Sequence, residues 1–383
     1  MKSINTLIGV IFFAIFLMTS TLFAWQEDFP TYESYLDYLG NYPEARETDW
    51  SDQAQGITND GSHWYITQKT KLIRAPETAD LNQDLYDYGY TRIEEWPALS
   101  GYDHFGDISF YDPDPNDSIA GYILVPVDSG PEDALLALFK ADESLSFVDA
   151  DFFKDQGTNA GWVAVGQDGT VYSSENSTTE IRKYSVNWEQ VKNNGLLEVT
   201  FEKKIPLLDR DGITTCTLTR MQGGVVTPSG SMLFLSNGFW TGEEGDDSWG
   251  LHAFLLNSDT CIRIARSCKE DCLFTYRFLP GGLNSEEPEG LTIWDQDFGK
   301  TPNLDGQLHV FMLDTKGDTN DIYLKHYTFR QFLKPGDDIQ QIHDNAWSGS
   351  VMSFEAGEYN QSATFNKKII LESRGGTAVI GGN

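Results

Sequence analysis

Gln55, His104, Asp107, Gln222 and Glu289 are the residues of this chain whose types and spacing suggest chemistry. Each lies within two positions of a glycine that heads an apolar run. The carboxylates of Asp107 and Glu289, with the amide oxygens of Gln55 and Gln222, offer four oxygen ligands, a donor set that suits Ca²⁺. His104 is then placed to act as a general base beside a carbonyl or phosphoryl group polarised by that ion. Trp162 follows Gly161 in the same relation and joins the set as a ligand-binding candidate. The alternative for every one of these residues is that it bonds backbone amides and buried water, because buried polar groups must be satisfied.

Residues so far apart in the chain meet only if equivalent segments converge on one axis. Five segments repeat one layout: QGITNDGSHWYITQKTKLIRAP from Gln55, FGDISFYDPDPNDSIAGYILVPVD from Phe105, GWVAVGQDGTVYSSENSTTEIRKYSV from Gly161, QGGVVTPSGSMLFLSNG from Gln222 and EGLTIWDQDFGKTPNLDGQLHVFMLD from Glu289. Their leading glycines, Gly56, Gly106, Gly161, Gly223 and Gly290, lie 50, 55, 62 and 67 residues apart. Each unit continues with a third strand-like run, and four add a fourth: TRIEEW, SLSFVDADFF, LEVTFEKKI and CLFTYRFL. The turns NDG, QDG and PSG separate strands with residues that tolerate positive φ or bond their own backbone. YILVPV, MLFL and HVFML are apolar at successive positions, as in sheets buried on both faces.

Four short strands at a period near 50 are the pattern of β-propeller blades. The sequence therefore predicts an all-β chain. Residues 25–335 form a β-propeller of five four-stranded blades, and residues 346–383 form a small C-terminal β appendage. A sixth blade drawn from the divergent stretches, or a fifth completed by strands from both termini, fits the same pattern. A two-sheet sandwich is the competing all-β reading and calls for shorter, cleaner alternation. Before Gln55, the helical spacing of Tyr32, Tyr35, Leu36 and Leu39 predicts a short helix.

The propeller body is similar to the gluconolactonase and calcium-dependent phosphotriesterase group, in which a Glu-Gly pair opens a blade and a central Ca²⁺ activates the substrate. Glu289-Gly290 carries that match. The resemblance implies a lactone, ester or phosphoester hydrolase. The chain departs from the group in two respects: the pair of metal-binding Asn residues has no counterpart, and the group's Glu-Gly opens the first blade. After Pro335, DDIQQIHDNAWSG reads as a polar linker. VMSFEAGEYNQSATFNKKIILESRGGTAVIGG then resembles the first coil of a right-handed parallel β-helix of the pectin-lyase type, without that fold's catalytic residues. It reads as a strand hairpin docked on the propeller or as the remnant of such a coil.

Composition bounds the function. Lys and Arg total 27 against 58 Asp and Glu, a net charge of −31, which repels phosphate backbones and argues against nucleic acid as a partner. A hydrophobic fraction of 40%, with 10 Trp, 17 Tyr and 23 Phe, calls for a packed core rather than a disordered chain. MKSINTLIGVIFFAIFLMTSTLFA has the layout of a secretory signal peptide cleaved after Ala24, with an uncleaved membrane anchor as the alternative. No later segment is apolar for long enough to span a membrane, so a secreted or otherwise extracytoplasmic protein is expected. In such a compartment Cys216, Cys261, Cys268 and Cys272 suggest two disulfides with three pairings open. No histidine stands near them to favour a metal.

Trp240 and Trp249 flank an acidic loop, WTGEEGDDSW, whose aromatic faces suit sugar rings; the alternative is a surface loop whose tryptophans cap the blade below. DPDPNDS and DLNQDLYD lack the central Gly and distant Glu of an EF-hand loop. His309 and His326 lie inside strand-like runs and read as satisfied core histidines. No nucleophile–base pair stands out. The sequence thus favours a ligand-binding or surface-interaction module for a small molecule, carbohydrate or protein, with a calcium-dependent hydrolase as the alternative.

Overall fold

The computed structural model describes residues 36–43, 48–86, 92–95, 101–116, 120–128, 132–238, 249–266, 286–297, 300–314 and 321–381. The signal-like N-terminus, Trp240, Cys268, Cys272 and the CLFTYRFL run lie outside the described residues. The chain is mostly β. Among the described residues no helix is long and apolar enough to cross a membrane.

The first strand, β1 (Leu36–Asn41), pairs with the last of five strand sets. The first set is the meander β2 (Ala54–Asn59), β3 (His63–Gln68), β4 (Lys71–Pro76) and β5 (Arg92–Glu95). The second holds β6 (His104–Phe105) and β7 (Ser109–Tyr111), which both pair with β8 (Tyr122–Asp128), followed by β9 (Leu135–Lys140) and β10 (Phe147–Phe152). The third runs β11 (Ala164–Val165), β12 (Val171–Ser173), then, past the short β13 (Ser177–Thr178), β14 (Glu180–Val186) and β15 (Val199–Leu208), with helix α1 (Trp188–Asn194) between the last two. After β16 (Leu218–Thr219), which pairs with β13, the fourth set is β17 (Met221–Val226), β18 (Met232–Asn237), β19 (Gly250–Leu256) and β20 (Cys261–Arg266). A short parallel contact, Leu207 to Cys261 and Leu208 to Ile262, joins the third and fourth sets into one eight-stranded path. The fifth set is β21 (Glu286–Ile293), β22 (Leu308–Asp314), β23 (Asp321–Leu333) and, outermost, β1.

Successive side chains of a strand point to opposite faces, and here both faces are apolar. Trp64 and Ile66 of β3 pack with Phe311 and Leu324 of the fifth set. Tyr65, between them, packs with Phe105, Ile123 and Phe139 of the second. The second and third sets share Leu136, Leu138, Val171 and Tyr184. The third and fourth share Ile181, Leu207, Leu233 and Phe254. The fourth and fifth share Phe234, Ala253, Val310 and Met312. Five cores thus alternate with five strand sets, and the core of Trp64, Ile66, Phe311 and Leu324 joins the fifth set to the first. This double-sided burial is why the strand runs are apolar at consecutive positions.

Several expectations are corrected. The stretch read as a helix around Leu36 and Leu39 is β1. Leu36 and Tyr38 sit opposite Phe329 and Tyr327 and both pack into the core between the fourth and fifth sets, so the free edge of β23 overrides the helical spacing. The linker after Pro335 contains helix α2 (Ile339–Asn345), capped by the Asp338 side chain accepting from the Gln341 amide. CIRIAR, not CLFTYRFL, supplies the fourth strand of the fourth set. β24 (Val351–Tyr359) and β25 (Ile370–Ile380) continue from β23 as a parallel ladder, so the C-terminal segment is not a hairpin, which would pair antiparallel. Cys216 and Cys261 are free and buried. The Cys216 amide bonds to Leu207 O on one edge of β15, and Cys261 pairs with Leu207 on the other. One strand lies between them, roughly 9–10 Å across two strand spacings, beyond disulfide reach.

Candidate ligand site at the ring of first strands

The five leading glycines form a closed ring of backbone contacts. A Cβ on Gly56 would lie 2.5 Å from the Asp107 Cα, on Gly106 2.3 Å from the Gly161 oxygen, and on Gly161 2.5 Å from the Met221 oxygen. On Gly223 it would lie 2.4 Å from the Glu289 oxygen, and on Gly290 2.6 Å from the Gly56 Cα. Each segment therefore rests on the main chain of the next, and the last on the first. This close approach, rather than a turn, is what the Gly-led motif encodes.

Asp107 is the hub of that ring. It is fully buried. Its Oδ1 accepts from the amides of Ile57 at 3.2 Å and Ile108 at 2.9 Å. Its Oδ2 accepts from Gly224 at 3.0 Å and Leu291 at 3.2 Å. Its own amide donates to Gly161 O at 2.8 Å, and its carbonyl accepts from Val163 at 3.1 Å. One residue thus touches all five Gly-led segments. Burial pushes its carboxyl well above the ordinary range, and the four amide donors pull against that shift.

Glu289 sits in the same ring in the opposite condition. It is 3% exposed, and only its backbone oxygen is engaged, by Ser236 Oγ at 2.8 Å. No hydrogen bond from the described residues reaches its carboxyl. Burial raises its pKa well above the ordinary value, and the charges of Glu287 and Asp107 add to the rise. Glu287, one side-chain period earlier on β21, accepts from Gln222 Nε2 at 2.5 Å. Burial pushes Glu287 up to about 7, against the opposing pull of Gln222 and Arg220. On the neighbouring arc, His104 Nε2 lies 2.9 Å from Gln55 Oε1.

The structure brings Asp107, Glu289 and Gln222 to the ring, and Gln55 and His104 to each other. Trp162 is fully buried; its Nε1 donates to Ser174 Oγ at 2.9 Å, and its ring lies against Gly224. Trp249 donates to Thr219 Oγ1 at 3.2 Å and packs on Gly238. His309 and His326 are buried with their Nδ1 atoms 2.7 Å apart, and their Nε2 atoms face the carbonyls of Trp294 and Tyr42. Sequence reasoning missed Glu287. Its signal was the acidic run EEPE immediately before Gly290, which places two carboxylates at one strand opening. Among the described residues no group of three or more His, Cys, Asp or Glu is arranged to hold a metal.

No protein-family model matches the chain. No curated protein matches it either. Among solved structures, the chain is similar to glutaminyl cyclase of Myxococcus xanthus, at 7% identity and a TM-score of 0.41, covering 77% of this chain and 98% of that one. A functionally unknown protein of Desulfotomaculum acetoxidans matches at 11% identity and a TM-score of 0.35, covering 73% and 70%. A candidate 6-phosphogluconolactonase of Bacteroides fragilis matches at 13% identity and a TM-score of 0.34, covering 69% and 67%. Likenesses of this size assign no activity.

Proposed function

We propose that the five strand sets are the blades of a five-bladed β-propeller, and that the mouth of its central channel binds a small ligand. The groups that would meet the ligand are Glu289 and Glu287, flanked by Gln222, Gln55 and His104. One observation carries this reading: Glu289 stands in the ring at only 3% exposure, and among the described residues nothing hydrogen-bonds its carboxyl, which leaves that group for a ligand to complete. The chemistry of two neighbouring carboxyls suits a ligand that donates hydrogen bonds, an amine or a polyol. Isothermal titration with panels of small amines and sugars tests it. Binding that is lost on Glu289→Gln and retained on Ile213→Lys, a distant exposed site, supports the site. Binding that survives Glu289→Gln places the ligand elsewhere.

The second reading is the calcium-dependent hydrolase. The residues do not fit its four-oxygen set as they stand. The Asp107 oxygens hold four amides, the Gln222 amide donates to Glu287, and Gln55 Oε1 faces His104. The Asp107 oxygens and Gln55 Oε1 are thus taken, which leaves Glu289 and the Gln222 oxygen, too few for the four-oxygen set, so no hydrolytic step is derived through the ion. A calcium-dependent rise in Tm that Glu289→Gln abolishes would revive it. The N-terminal leader reading stands beside both as part of the proposal: a secreted chain whose first 24 residues are removed.

A further inference from the structure

Hydrogen-bond accounting at the ring mouth leaves acceptors in excess of donors. The Gln222 amide nitrogen donates to Glu287 Oε1, and Ser236 Oγ donates to the backbone oxygen of Glu289. On the other arc Gln55 Oε1 can only accept, so His104 Nε2 donates to it. The Gln55 amide nitrogen reaches Ala54 O at 3.4 Å. Each amide nitrogen keeps one further proton. Both Glu289 oxygens, Glu287 Oε2 and Gln222 Oε1 are left to accept. Glu287 is partly buried, and the small area that Glu289 exposes includes its carboxyl oxygens, neither of which is sealed from solvent.

Charge and shape narrow what can use those acceptors. The charges that act on the Glu289 carboxyl are Glu287 and Asp107, both acids, while Arg220 acts on Glu287. The chain as a whole carries −31. Such a mouth draws cations and repels anions. Its floor is closed: the leading glycines leave no room for a methyl group between segments. The Asp107 carboxyl bonds across the middle to the amides of Ile57, Gly224 and Leu291. A ligand can therefore offer only an end group to Glu289. An ammonium brings three N–H donors and no acceptor, and its bonds to a carboxyl are charge-assisted. A hydroxyl brings one donor together with lone pairs that need donors in turn. Calcium takes about six to eight oxygens, more than the two of Glu289 with one each from Glu287 and Gln222.

We propose, on the footing of the ligand site already proposed at this mouth, that its ligand enters by a terminal primary ammonium group, with Glu289 as the main acceptor and Glu287 and Gln222 beside it. Isothermal titration of the full chain with butylamine, butyltrimethylammonium, 1,4-butanediol and calcium chloride tests this. Butylamine is expected to bind with a roughly millimolar Kd, at least about tenfold more tightly than the other three. The quaternary probe has the same charge and no N–H, so it separates hydrogen bonding from attraction to a negative surface. Glu289→Gln is expected to weaken butylamine by at least about tenfold, and Ile213→Lys to leave it unchanged. The Gln variant keeps the side-chain shape, and a Tm no lower than the parent's shows that the fold is kept. Diol or calcium bound as tightly as butylamine and lost on Glu289→Gln overturns the ammonium assignment and leaves the ligand site standing. Butylamine bound no better than its quaternary analogue, with both lost on Glu289→Gln, has the same meaning. Binding that survives Glu289→Gln, or no binding by any probe, overturns the assignment and the site together.

Discussion

Asp107 and Glu289 are both buried acids in the same ring of first strands, yet the fold treats them differently. Every lone pair of Asp107 that points at the protein meets a backbone amide, and those amides come from its own segment and from three others of the ring. Glu289 meets none. The difference teaches that a buried carboxyl at a symmetry centre takes one of two roles, holding the centre together or remaining available there, and hydrogen-bond accounting separates them where residue type does not.

The largest expected effect breaks the holding half of that comparison. Asp107→Ala strips four buried amides of their acceptor and is expected to cost about 3–5 kcal/mol, read as a drop in urea midpoint or as failure to fold. Gly106→Ala comes next. Its methyl would press on the Gly161 carbonyl at 2.3 Å, and a loss of about 2–3 kcal/mol is expected in the same assay. A loss under about 0.5 kcal/mol would show that the glycine ring is not under close contact.

Two pH effects sharpen the other half. Glu287 is raised from 4.5 to about 7, so its contribution is fully present below pH 4.5 and is lost as the pH rises through 7. Glu287→Gln is expected to flatten that decline in Tm between pH 5 and 8. His309, away from the ring, runs the opposite way. Burial lowers it from 6.5 to about 4, so its contribution is present above pH 6.5 and fades as the pH falls through 4. The acid limb of the stability profile should therefore persist in Glu287→Gln; its disappearance there would show that the two limbs share one group.

Much of this architecture was legible in advance, for identifiable reasons. Consecutive apolar residues in YILVPV and HVFML reported burial on both faces, and the Gly-led spacing reported strands that pack backbone to backbone. The site was only partly legible. Sequence marked Asp107 and Glu289 as equals, because a carboxylate looks the same whether amides or nothing surround it. Glu287 was hidden by its place before the glycine rather than beside it. β1 was misread because helical spacing over four residues also satisfies a strand whose alternate side chains, Leu36 and Tyr38, find a waiting edge. The C-terminal segment carried two readings, a hairpin and a parallel coil, because glycine corners serve both; β24 and β25 pair parallel.

The most direct measurement is urea unfolding of Asp107→Asn and Glu289→Gln side by side at pH 7.5. Both replace a carboxyl by an amide of the same shape. The expected result is opposite signs: Asp107→Asn destabilises by about 1–3 kcal/mol, because an amide nitrogen replaces an oxygen that two N–H groups need. Glu289→Gln is neutral or stabilising by about 1 kcal/mol, because a buried acid without a partner is removed. Equal losses at both positions would contradict the division between a carboxyl that holds the ring and one left open to a ligand.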